Sequence, residues 1–255
     1  MPRVSLGVIV LAAVTLALWP ALSSAAVPAL GGQPYTVTGV VVTVRGTILT
    51  LRLDAGGTST FRLIVPGLQA DRVTPGTRVQ AWILPVADGL PLVLRLTPLG
   101  GFAPLRPLVD VEPGALRGLI LARGNGHLTL LGERNVLYTV LVTGTTLIRG
   151  GELVRAAIVQ VVGSRNSDGS VSARSITVQF DPKGAVRAAG RITILWRPAG
   201  FILSSGTVVG LQEDTWILRG SARGDPGTLT PGVSVVVLGV GVPPYLSARV
   251  IEISL

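Results

Sequence analysis

The 255-residue chain is 48% hydrophobic, 14% charged and only 4% aromatic, so aliphatic side chains must build its core. Its 22 basic residues, all arginine except Lys183, outnumber 13 acidic ones and give a formal charge of +9. The chain has no cysteine, which excludes disulfides, thiolate metal sites and cysteine nucleophiles and leaves core packing to hold the fold.

Residues 1–26 have the pattern of a secretory signal. Arg3 supplies the positive start, Val4 to Leu18 is an uncharged apolar stretch, and Trp19-Pro20 ends it. Small residues at Ser23, Ala25 and Ala26 suit cleavage after Ala25 or Ala26. The competing expectation is a retained N-terminal membrane anchor, which the shortness of the apolar stretch disfavours. A cleaved chain would be periplasmic, cell-wall-associated or extracellular. Residues 27–35 read as a linker.

Beyond that point the sequence repeats itself, and the repeat defines the fold class. Each of three copies opens with a strand that carries a glycine: Gly39 in Thr36–Val42, Gly118 in Leu116–Leu121, and Gly190 in Ala188–Ile194. A glycine there suits a sharp bend at a barrel corner. A turn and a second strand follow, at Ile48–Leu53, His127–Leu131 and Phe201–Ser204. The third elements are Phe61–Val65, Tyr138–Val142 and a Thr207–Ile217 stretch. Thr74-Pro-Gly76 and Thr230-Pro-Gly232 then turn into a fourth strand, where the middle copy has Gly150-Gly151. The closing strands Val171-Ser-Ala-Arg174 and Leu246-Ser-Ala-Arg249 nearly coincide, and the first copy has Leu92-Val-Leu-Arg95 there.

Alternation supports strands. Leu49, Leu51 and Leu53 share one face, and Thr50 and Arg52 the other. Five short strands in each copy, separated by Gly and Pro turns, predict three tandem small five-stranded barrels, since closure removes exposed sheet edges. The repeats are expected at 36–100, 114–180 and 186–255. A Pro-rich linker falls at 101–113 and a short one at 181–185.

The glycine-led opening strand, the Thr-Pro-Gly turn and the closing Ser-Ala-Arg strand resemble the uncharacterised OB-like repeats of exported bacterial proteins, a domain-of-unknown-function family. The resemblance spans most of residues 36–255. It implies an all-β fold and export, and it carries no established activity. The first copy departs from the pattern at the closing motif and the second at the Thr-Pro-Gly turn.

No set of residues converges on catalysis. His127, the only histidine, follows a Gly-Asn-Gly turn and is expected in solvent, without a nucleophile elbow to serve. Glu213-Asp214 is the only adjacent acidic pair. It reads as a solvated turn before Trp216, with a carboxylate dyad or a weak calcium site as alternatives. Asn166-Ser-Asp168-Gly169 reads as a hairpin turn, since later calcium ligands are missing. No cofactor or metal is expected, and the chain is not expected to be an enzyme.

The strongest binding signal lies on the predicted outer face of the first repeat, where strict alternation places Arg52, Arg62, Arg78, Trp82 and Arg95. The leading expectation is a non-catalytic envelope or extracellular protein whose barrels serve as interaction or spacer modules. The alternative is a secreted binder of anionic polymer, namely cell-wall glycan, lipid headgroups or single-stranded nucleic acid. Nucleic acid is the least expected of these, because a stacking platform needs more aromatic rings than the repeat supplies. Arginine rather than lysine points to GC-rich coding as the main source of the charge. Trp82, Trp196 and Trp216 have a second expected use, packing one repeat against another.

Overall fold

The computed structural model describes residues 31–64, 73–99 and 115–254. The export segment at 1–26 and the linker at 101–113 lie outside these residues. Within them the chain forms three small closed barrels.

Barrel 1 comprises β1 (Tyr35–Arg45), β2 (Ile48–Leu53), β3 (Thr58–Leu63), β4 (Arg78–Leu84) and β5 (Leu92–Pro98). They close in the order β1-β2-β3-β5-β4. All contacts are antiparallel except β3–β5. Barrel 2 repeats this with β6 (Leu116–Gly124), β7 (His127–Gly132), β8 (Leu137–Leu141), β10 (Ile158–Arg165) and β11 (Val171–Phe180), adding a short β9 (Leu147–Arg149). Barrel 3 uses β12 (Val186–Trp196), β13 (Gly200–Leu203), β14 (Val208–Gly210), β17 (Ser234–Val242) and β18 (Tyr245–Ile253). It adds β15 (Trp216–Arg219) and β16 (Ala222–Arg223). The shared five-strand order is that of the OB fold. The protein is therefore all-β, with three tandem OB-like barrels.

Each barrel is filled by the inward half of its alternating strands. In barrel 1, Leu49, Leu51, Phe61, Val79, Ala81 and Ile83 are buried together, while Arg52 and Arg62 point out. Gly39 and Gly118 sit where the first strand pairs with both neighbours at once. Gly39 faces Leu53 on β2 and Val79 on β4. A Cβ there would stand 2.5 Å from the Arg52 carbonyl oxygen, and one at Gly118 would stand 2.9 Å from that of Leu131. Only glycine permits so close a backbone approach.

The third element of barrel 3, expected as one stretch from Thr207 to Ile217, is two strands with a turn between them. The turn is fixed by Thr215, whose hydroxyl donates to the Ala248 carbonyl and accepts from the Gln212 amide, both at 2.9 Å. Barrel 2 has the same device. Thr146 donates to the Ala173 carbonyl at 2.9 Å and accepts from the Thr143 amide at 3.0 Å. Each threonine thereby launches an extra strand, β9 or β15, that runs parallel to the barrel's last strand.

The barrels pack in an order different from their order in the chain. Leu84, Leu92 and Leu94 of barrel 1 are buried against Trp196, Ala199, Ile202 and Val208 of barrel 3. Leu119, Leu131, Ile158 and Phe180 of barrel 2 are buried against Trp216, Leu218 and Val250, also of barrel 3. Barrel 3 thus lies between the other two. Trp216 is 1% exposed, and burying a ring of that size is worth several kcal/mol on the scale of about 3–5 kcal/mol lost when a buried Trp is truncated to Ala.

Candidate functional site

The five residues singled out on barrel 1 all point out of it but divide between an open surface and the junction with barrel 3. On the outer surface of β1, β2 and β4, Val40 pairs with Arg52 on one side and Arg78 on the other, so two guanidinium groups flank one small apolar residue. Arg78 is held by Asp54, at 2.6 Å from Nη2 and 3.2 Å from Nε. That hydrogen bond, with a second from Thr38, keeps the Asp54 carboxyl below the usual carboxylate range. Arg62, on β3 opposite Ile48, points out near the start of β18. There burial raises the Tyr245 hydroxyl's pKa and the charge of Arg62 opposes that rise.

Trp82 and Arg95 are cross-strand partners on the β4–β5 side, which faces barrel 3. The Trp82 ring packs against the apolar junction with barrel 3, and Arg95 reaches Glu213 of barrel 3 at 2.9 Å. The physical reason is the apolar content of that side. Leu84, Leu92 and Leu94 need a cover, and Trp82 joins them under it. Packing between repeats is thus the use the structure gives Trp82, Trp196 and Trp216.

The Glu213-Asp214 turn precedes Trp216 as expected and is not a dyad: Glu213 is exposed, while Asp214 is partly buried. Its two carboxylates diverge. Glu213 ion-pairs with Arg95 of barrel 1, whereas Asp214 lies 2.6 Å from Arg249 of barrel 3 and 3.6 Å from Arg117 of barrel 2. The Asp214 side chain is only 16% exposed, so its charge is matched in a partly desolvated place. One turn therefore ties all three barrels by charge. Arg155 and Glu252 add a 3.2 Å pair between barrels 2 and 3, and Arg223 of barrel 3 donates to the Glu133 carbonyl of barrel 2 at 2.8 Å. Sequence reasoning saw the acidic pair but not its arginines, which lie on strands 118, 97 and 35 residues away or in another repeat.

The remaining candidates are local. His127 is exposed, with Nδ1 3.2 Å from the Asn125 carbonyl oxygen. Asp168 accepts from the amide and hydroxyl of Ser170 at 2.9 and 2.7 Å within the β10–β11 hairpin, and those bonds lower its pKa. Gly169 there has φ +85, which fits the Asp-Gly hairpin expectation. Among the described residues no group of three or more His, Asp or Glu is placed to hold a metal ion.

One cleft lies where barrel 3 meets barrel 1. It has a volume of about 270 Å³ and is floored by Leu195, Leu211 and Ile217, with Arg95, Arg197 and Arg223 around it. Arg197 is fixed by donating to the carbonyls of Gly227 and Leu229 at 2.8 and 2.9 Å. Arg223 lies over the Trp216 ring, 4.5 Å from its centroid.

No family profile matches the sequence, and no curated protein does. Among solved structures, CSD456 of Drosophila Unr aligns over 82% of this chain and 91% of its own, at 12% identity and a TM-score of 0.24. A multidomain protein with nucleic acid binding domains from Streptococcus pneumoniae TIGR4 aligns over 86% and 72%, at 10% identity and a TM-score of 0.19. At these scores the likenesses carry no argument, and the fold assignment rests on strand order.

Proposed function

We propose that the chain is an exported, non-catalytic interaction module of the envelope or extracellular space, akin to the OB-like repeats it resembles. In this reading its three barrels act as one body. The observation that carries it is the pair of apolar junctions through barrel 3, reinforced by the Glu213-Asp214 turn. These spend the aromatic and acidic side chains on holding barrels together and leave outer faces to meet partners. Fusing residues 1–30 to a reporter active only outside the cytoplasm tests the export half. Reporter activity is expected, and an inactive fusion would overturn it. Limited proteolysis tests the other half: barrels 1, 2 and 3 should resist as a unit, and prompt release of single barrels would contradict it.

A second reading, binding of an anionic polymer, is favoured by the Arg52–Val40–Arg78 row. With Trp82 packed at the junction farther along β4, that row offers charge and hydroxyls (Thr50, Thr60) rather than the Trp82 ring. It therefore suits a sulfated or phosphorylated backbone better than stacked bases. Heparin retention should be lost on combining Arg52→Ala with Arg78→Ala, and elution of the unaltered protein at very low salt would end this reading.

A further inference from the structure

The cleft between barrels 1 and 3 has the chemistry of a small-molecule site. We infer that it binds a small organic anion, an apolar body carrying one oxyanion head. The floor takes the body: Leu211 is 8% and Ile217 3% exposed, so the cleft opens onto core side chains. A concave apolar surface with a few fixed polar groups is the usual form of a ligand pocket.

The head is assigned to Arg197 and Arg223. Both guanidinium groups are already oriented, Arg197 by two barrel 3 carbonyls and Arg223 by the Trp216 face and the Glu133 carbonyl. A guanidinium has more donors than these bonds use, and its planar fork matches a carboxylate or phosphate. Among the described residues no carboxylate lies within ion-pair distance of either group. The one acid in the lining, Glu213, is engaged by Arg95. The cleft thus holds three arginines against one glutamate, a surplus of positive charge above an apolar floor. Inorganic phosphate would satisfy only the head and a neutral hydrocarbon only the floor. The class that satisfies both is the amphiphilic anion.

Titration calorimetry of the full chain with phenyl phosphate, inorganic phosphate and phenol tests this. Phenyl phosphate is expected to bind one to one and at least tenfold tighter than either fragment. Arg197→Gln, at an exposed side chain, should weaken it about tenfold or more while leaving thermal unfolding nearly unchanged, and Arg223→Gln should do likewise. If loss of the Trp216 contact unfolds the Arg223 variant, the Arg197 variant alone decides. Phenyl phosphate binding no tighter than phosphate, or binding equally to Arg197→Gln, would overturn the proposal. Neither outcome bears on export or on the junctions, so the two proposals fail separately.

Discussion

The outer face of the first strands differs sharply between barrels 1 and 2, although register makes the positions equivalent. Counting from the shared glycine, barrel 2 has Leu131, Leu119 and Ile158 in one cross-strand row, and barrel 1 has Arg52, Val40 and Arg78. The first row is buried against Trp216, while in the second both arginines are exposed. The same scaffold position is thus a docking surface in one barrel and a charged exterior in the other. Strand pairing is indifferent to the choice, because these side chains lie outside both cores. What the row is made of decides what the barrel meets.

The added strands make the same point. β15 and β9 occupy matching places, each launched by a threonine and each parallel to the last strand. Trp216, Ile217 and Leu218 on β15 are buried, whereas Leu147 and Ile148 on β9 are 48% and 43% exposed. Barrel 3 has neighbours on two sides. Barrel 2 ends the stack.

The largest effect is expected from giving barrel 2 the row of barrel 1. Leu131→Arg removes a buried leucine, a loss of about 2–5 kcal/mol, and brings a charge against Trp216 without a partner. Chemical denaturation should show barrel 2 separating before the rest unfolds. Asp214→Asn comes next. It removes the negative charge 2.6 Å from Arg249, which is 11% exposed, and a loss of about 1–3 kcal/mol is expected in the same measurement. By contrast, Leu147→Glu on exposed β9 should shift stability by no more than about 0.5 kcal/mol, and a large loss would show that the β9 face is covered in solution.

The smallest effect concerns Asp54. Its pKa is lowered by Arg78, so the pair contributes fully above the unfolded-state pKa and is lost as pH falls through the lower folded-state value. Heparin retention, if it uses Arg78, should therefore rise only below the ordinary carboxylate range. Asp54→Asn should produce the same rise at neutral pH.

The barrels were legible in the sequence because their signals are local. Leu49 and Leu51 alternate with Thr50 and Arg52, Gly39, Gly118 and Gly190 recur, and Pro-Gly turns mark the fourth strands. The stacking was only half legible. Leu119-Ile-Leu121 is apolar on both faces, which in a single strand signals cover on both sides, but nothing local says that barrel 3 supplies it. The turn before Trp216 was legible in the polar run Gln212-Glu-Asp-Thr215, but what fixes it was hidden, because Thr215 bonds to Ala248, 33 residues away. The split of the arginine face was hidden for the same reason. Alternation places Trp82 outside its own barrel without saying that another barrel is there.

The central claim is that barrel 3 joins barrels 1 and 2 into one body. The chain has no cysteine, so paired cysteines for spin labels can be introduced without background. Labels at Thr58 and Arg187 report on barrels 1 and 3, and labels at Arg165 and Arg187 on barrels 2 and 3. Pulsed electron spin resonance should give a single narrow distance distribution for each pair. Broad distributions spanning several nanometres would show barrels swinging on their linkers and would contradict the account.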